Sequence, residues 1–161
     1  MAQAATLRRP KGGAKGGAVK SAAKQPRPWS HGQFYWNELR TRDAERAKAF
    51  YAQTIGWSFE GLSTPDGATY WVATLGGKPV AGLFPLASPR FDGVPESWMS
   101  FLAVDDVDAR VARAMEAGAR LVMPVFDVPG VGRIAMLQEP SGAGVGWITP
   151  VGAQAAKGGG R

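Results

Sequence analysis

At 161 residues the chain is long enough for one domain with a hydrophobic core and too short for two of ordinary size. Apolar residues at 45% and charged residues at 20% give a globular balance; no apolar run approaches the roughly 18 residues that cross a bilayer, and the lack of cysteine excludes disulfides, thiolate ligands and a cysteine nucleophile. The net charge of +6 is unevenly placed: residues 1–30 hold seven Lys/Arg and no acid, Lys157 and Arg161 add two more, and residues 31–156 carry ten basic against thirteen acidic side chains.

Residues 1–30 are mostly Ala, Gly, Lys and Pro, too poor in apolar side chains to offset the entropy of ordering, and are expected to form a disordered basic tail. Arg8-Arg9 is followed by Pro10, Lys11 and glycines instead of the apolar stretch of an export signal, and a cytoplasmic location is the expectation. Seven cations on a flexible segment support weak, salt-sensitive, non-specific contact with nucleic acid or another polyanion, the competing reading being a solubilising extension.

The ordered part, expected over 31–151, reads twice. Phe34 to Leu39 is a strand; Asp43 caps a helix whose Ala47, Phe50, Tyr51 and Ile55 recur at three- and four-residue spacing, and Gly56 ends it. Trp57–Glu60, Tyr70–Leu75 and Val80–Pro85 are short strands, with Gly76-Gly77 as a tight turn. The second copy runs from a strand at Met99–Val104 to a helix capped at Asp105-Asp106. That helix carries Val107, Val111, Ala114 and Met115 on one face and stops at Gly118. Strands at Leu121–Met123, Arg133–Gln138 and Val145–Thr149 follow, and residues 152–161 are expected to be a flexible C-terminus. The offset of about 63 residues, matching Asp43 to Asp106 and Leu39 to Leu102, marks a duplication: module one at 33–86 and module two at 97–151.

The segments Asp43-Ala44-Glu45-Arg46-Ala47-Lys48-Ala49-Phe50-Tyr51, Ile55-Gly56-Trp57, Phe101 to Asp108 and Gly130 to Gly142 resemble the vicinal-oxygen-chelate superfamily of glyoxalase I, bleomycin-resistance proteins and extradiol dioxygenases. The resemblance implies an α+β fold of tandem βαβββ modules, a curved mixed sheet forming a cup with helices on its convex face. It implies homodimerisation too, leaving open whether one chain or two complete each cup. Metal-dependent members hold a divalent ion through the first and last strands of each module. The matching positions here are Trp36 and Met99 on the first strands, Gly146 on the last strand of module two, and a place near Ala81 or Leu83 in module one. None of these is a ligand for a hard or borderline cation, so neither metal nor another cofactor is expected.

The residue inventory agrees. The single histidine, His31, lies at the junction of tail and domain, reading as a solvated linker residue rather than a metal ligand or part of a Ser–His–Asp triad. Gly130-Val131-Gly132 precedes a strand and offers no helix N-terminus to a dinucleotide. By strand parity Trp36 and Glu38 share the cup face while Leu39 turns to the helix. Glu38, beside Trp36 and Phe101, is the candidate proton-transfer or ligand-orienting group, its alternative role being a structural pair with Arg40. The candidate ligand-binding set is Trp36, Glu38, Tyr70, Trp98, Met99, Phe101 and Gly146; Phe50 and Tyr51 are expected in the core. The first functional expectation is a binder of a small hydrophobic or aromatic molecule. The second is a lyase, isomerase or dioxygenase with an atypical site around Glu38, and the third is polyanion association through the tail.

Overall fold

A computed structural model describes residues 29–64 and 67–151; the tail through residue 28 and the C-terminus from 152, with the readings attached to them, lie outside these. Each module starts with a strand whose successive side chains point to opposite faces of the sheet. Strand β1 (Phe34–Thr41) leads through the Asp43 cap, whose carboxylate accepts the Arg46 N–H at 2.9 Å, into helix α1 (Ala44–Ile55). Gly56, at φ 73°, takes the left-handed conformation that ends the helix. Strands β2 (Ser58–Ser63), β3 (Thr69–Leu75) and β4 (Lys78–Pro85) follow. Module two repeats this with β5 (Ser97–Ala103), α2 (Val107–Glu116), β6 (Arg120–Val128), β7 (Gly132–Gln138) and β8 (Gly144–Pro150). Asp106 is the α2 cap, accepting from the Ala109 N–H at 3.0 Å. Asp105 instead accepts from the Asp106 N–H and forms a two-pronged pair with Arg110.

All eight strands join one mixed sheet in the order β2-β3-β4-β1-β5-β8-β7-β6. The modules therefore meet edge to edge at the antiparallel β1–β5 pair, and the concave sheet is continuous within a single chain. Side-chain bonds reinforce the seam: Ser100 Oγ to Asn37 Oδ1 at 2.8 Å, and Arg40 Nη2 to Ser97 Oγ at 3.0 Å. Thr41 Oγ1 and the Arg42 N–H both donate to Glu96, tying the segment between modules to the start of α1. Strand β6 runs well past the predicted Met123 because two bulges carry its ladder with β7 through Pro124. Proline is tolerated there because β6 lies at the sheet edge.

The helix-bearing face holds two cores. In module one Ala73, Ala81 and Leu83 pack with Leu39, Ala47, Trp57 and Trp71; in module two Val104, Val107, Val111 and Ala114 pack with Ala135 and Leu137. The two helices differ. Val107, Val111 and Ala114 of α2 are buried, whereas no residue of α1 is. The apolar stripe predicted for α1 is thus only half used: Tyr51 stacks on Trp57 with centroids 4.8 Å apart, while Phe50 is 58% exposed and Ile55 50%. Met115 likewise lies outside the α2 contact. Phe50, expected in the core, is corrected to a surface position, because α1 seats on broad aromatic rings and Lys48 over Trp71 instead of sinking between small strand residues.

Because the seam makes the modules one sheet, urea unfolding should show a single transition. Leu83→Ala and Leu137→Ala, one in each module and both fully buried, should each shift that whole transition by roughly 2–5 kcal/mol. Two separable transitions would mean independent modules.

Candidate functional site

The register places the cup face without ambiguity. Across the seam Trp36 pairs with Phe101 and Glu38 with Met99, while Glu38 also neighbours Gly82 of β4 and Phe101 neighbours Gly146 of β8. Buried Met99, Phe101, Ile134 and Ile148 form a floor, and Trp36, Phe126 and Met136 lie partly exposed above it. Trp36, Glu38, Tyr70, Met99, Phe101 and Gly146 of the candidate set thus share the concave face. Trp98 does not. It pairs with Leu39, its ring lies against Tyr51 and Trp57, and its Nε1 donates to Tyr51 Oη at 3.2 Å, all on the helix-bearing face. The correction follows from strand parity: Trp98 is one residue from Met99, and neighbouring strand residues point to opposite faces.

Glu38 ends a short polar chain. Trp36 Nε1 donates to the Tyr70 hydroxyl at 2.9 Å, and Tyr70 hydrogen-bonds the Glu38 carboxylate. Indole can only donate, so with one Tyr70 lone pair taken the phenolic proton is directed to Glu38. Burial pushes the Glu38 carboxyl up to about 7, against the lowering influences of the Tyr70 bond and the Arg40 charge. Burial, then the adjacent carboxylate, hold the Tyr70 proton on above the usual phenol range. Arg40 donates to Ser97 and affects Glu38 only as a nearby charge, so the expected alternative of a direct Glu38–Arg40 pair is not what forms.

Two glycines make this arrangement possible. A side chain on Gly82 would fall on the Tyr70 hydroxyl, with Trp36 Nε1 only 3.0 Å away, and one on Gly146 would collide with the Phe101 ring. Gly82, equivalent to Gly146 by its place in the modules, is the concave residue of β4; Ala81 and Leu83, the places the sequence suggested, face the helix side and belong to its core. Sequence reasoning missed Gly82 because a glycine offers no functional group; the Glu38-to-Gly82 register alone reveals it. A divalent ion does not fit these positions. Trp36 and Met99 offer no suitable ligand on the first strands, and Tyr70 and Phe101 occupy the space where last-strand ligands would project. Among the described residues no three His, Asp or Glu side chains gather as a metal site.

His31 lies away from the cup, where its Nδ1 accepts the Asp105 N–H at 3.1 Å. A groove of about 320 Å³ opens on the helix-bearing face between Leu39, Arg46, Phe50, Tyr51 and Glu96. Its carboxylates are committed, Asp43 to capping α1 and Glu96 to the Arg42 N–H and Thr41 hydroxyl, which hold Glu96 below the usual carboxylate range.

A duplicated βαβββ chain with one continuous curved sheet and helices on its outer face is the architecture of the vicinal-oxygen-chelate fold. The sequence profile of the Glyoxalase/Bleomycin resistance protein/Dioxygenase superfamily matches residues 33–146, and the chain belongs to that superfamily. It is 38% identical over 112 residues, 69% of this chain, to the Mycobacterium tuberculosis protein CFP32, whose name proposes a glyoxylase. It is 31% identical over 122 residues, 67% of this chain, to the anthracycline biosynthesis protein DnrV of Streptomyces peucetius. The matches cover 43% of each relative, so the chain spans less than half their length. Among solved structures the same fold occurs in methylmalonyl-CoA epimerase from Mycobacterium tuberculosis (TM-score 0.56, 16% identity, 81% of this chain and 95% of that one). It occurs also in the protein BH1468 of Bacillus halodurans (TM-score 0.59, 13% identity, 75% and 96%).

The raised Glu38 carboxyl sets a stability signature. Its value in the fold lies above the ordinary 4.5, so its contribution is complete below about pH 4.5 and is lost as pH rises through about 7. The loss amounts to about 3 kcal/mol. Glu38→Gln should flatten the stability profile across that window and be the more stable protein above about pH 8, as read by urea titrations at several pH values. Parallel profiles for the two proteins would contradict a buried carboxyl here.

Proposed function

We propose that the concave face binds a small hydrophobic or aromatic molecule without a metal ion. The single observation that carries this reading is the filling of both last-strand ligand positions, Gly82 by the Tyr70 hydroxyl and Gly146 by the Phe101 ring. Exchanging charged ligands for Trp36, Met99 and Phe101 turns a cation site into an apolar surface, which suits flat apolar molecules. The names of CFP32 and DnrV point to small-molecule chemistry in the relatives, and the proposal takes only that class from them. A hydrophobic fluorescent dye should bind stoichiometrically, and Trp36→Ala should weaken it by at least about tenfold, or 1.4 kcal/mol, with its circular dichroism spectrum retained. Stoichiometric iron, zinc, nickel or manganese in protein purified without chelator would overturn the metal-independent reading.

A second reading, a lyase or isomerase working by proton transfer, is favoured by one observation: a carboxyl held near 7 is matched to general acid–base work. In that reading Glu38 takes or returns the proton and Tyr70 holds the carboxylate in place.

The chain is further proposed to act as a homodimer. Phe50, which lines the groove on the helix-bearing face, and Trp98, 43% exposed, both lie against Tyr51 and form an apolar patch of the kind a second copy covers. Sedimentation should show a dimer for the native chain and a monomer for Phe50→Glu; a monomer in both cases would refute pairing through this patch.

A further inference from the structure

The duplication has left the two halves of the cup chemically unequal at equivalent points. Glu38 sits beside Gly82 in module one, and Phe101 sits beside Gly146 at the same place in module two. Around Phe101 the floor is entirely apolar, built from Met99, Ile134 and Ile148. Around Glu38 it is polar, and the polarity has a direction. Trp36 donates to Tyr70 and Tyr70 bonds to Glu38, so every proton in the chain points toward the carboxylate. A carboxylate has about four acceptor sites and Tyr70 takes one. Glu38 keeps 8% of its surface open, and this residue lies on the concave face. What module one presents to the cup is therefore an acceptor, with no donor on that carboxylate left over for a ligand.

We propose that the cup selects a flat apolar molecule bearing an uncharged hydroxyl group, seated with its body on Trp36, Phe126 and Met136 and its hydroxyl donated to Glu38. This rests on the small-molecule binding reading above and adds the chemical class. The charge state follows from Arg40, which already acts on Glu38 as a nearby opposite charge. A cationic ligand would leave net positive charge in an apolar site, and an anion would meet the carboxylate, both costly where water is excluded. A neutral hydroxyl satisfies the acceptor and brings no charge.

Calorimetric titration with 2-naphthol and 2-methoxynaphthalene tests this, since the two share the aromatic body and the oxygen while a methyl group replaces the hydroxyl proton in the second. At about pH 8 the naphthol should bind tenfold or more tightly than the ether, the expected gain for a hydrogen bond to a charged acceptor. Glu38→Gln, which keeps an acceptor without the charge, should reduce the preference, and Glu38→Leu should abolish it, each preference being the ratio of the two affinities on the same variant. In the native chain the preference should also shrink as pH falls through about 7, where Glu38 takes up a proton. The titratable and charged groups facing it are Tyr70, whose proton is held on above the usual phenol range, and Arg40; its strand neighbours Gly82 and Met99 carry no charge. Equal binding of naphthol and ether at both pH values would overturn the hydroxyl assignment and leave the apolar binding reading intact. Failure of both compounds to bind would overturn the two together.

Discussion

The Trp36–Tyr70 hydrogen bond exists because Gly82 has no side chain. Any larger residue at that point of β4 would occupy the position of the phenolic oxygen, and with Tyr70 displaced the Glu38 carboxylate would lose its donor. A buried carboxylate without a donor is costly, so the glycine, the tyrosine and the glutamate form one unit. The same geometry governs module two, where Gly146 admits the Phe101 ring. Two omitted side chains thus set the chemistry of the whole concave face, one half polar and the other apolar.

This unit depends on the seam between modules. Trp36 and Glu38 stand on β1, Met99 and Phe101 on β5, and the antiparallel pairing of those strands brings the four together at the centre of the sheet. The hydrogen bonds across the seam hold that register, and a slip of one residue would send Glu38 to the helix side. Placing the seam within one chain means the cup needs no second copy to be continuous. The proposed dimer therefore concerns the opposite face, where α1 leaves Phe50 and Trp98 uncovered.

The unequal packing of the two helices bears on the same division of labour. Helix α2 buries three aliphatic side chains against module two and behaves as a structural brace. Helix α1 rests on Trp57 and Trp71 through Tyr51 and Lys48, leaving the apolar Phe50 and Ile55 exposed. Periodicity alone does not separate these cases, because an apolar stripe looks alike whether it meets a core or a partner.

The sequence by itself determined the duplication, the order of strands and helices, the caps at Asp43 and Asp106, and the sharing of one face by Trp36 and Glu38. All of these are local: they follow from periods of two and 3.6 residues and from turn and cap chemistry within a few positions. The family resemblance added Trp36, Met99 and Gly146 as the places where metal-dependent members hold their ion. Only the tertiary structure decided that Gly82 is the partner of Gly146, that Tyr70 reaches Glu38 from a strand over thirty residues away, that Trp98 turns outward, and that Arg40 binds Ser97 instead of pairing with Glu38. Those facts depend on which strands lie side by side and in what register, and pairings between distant strands leave no mark in local spacing.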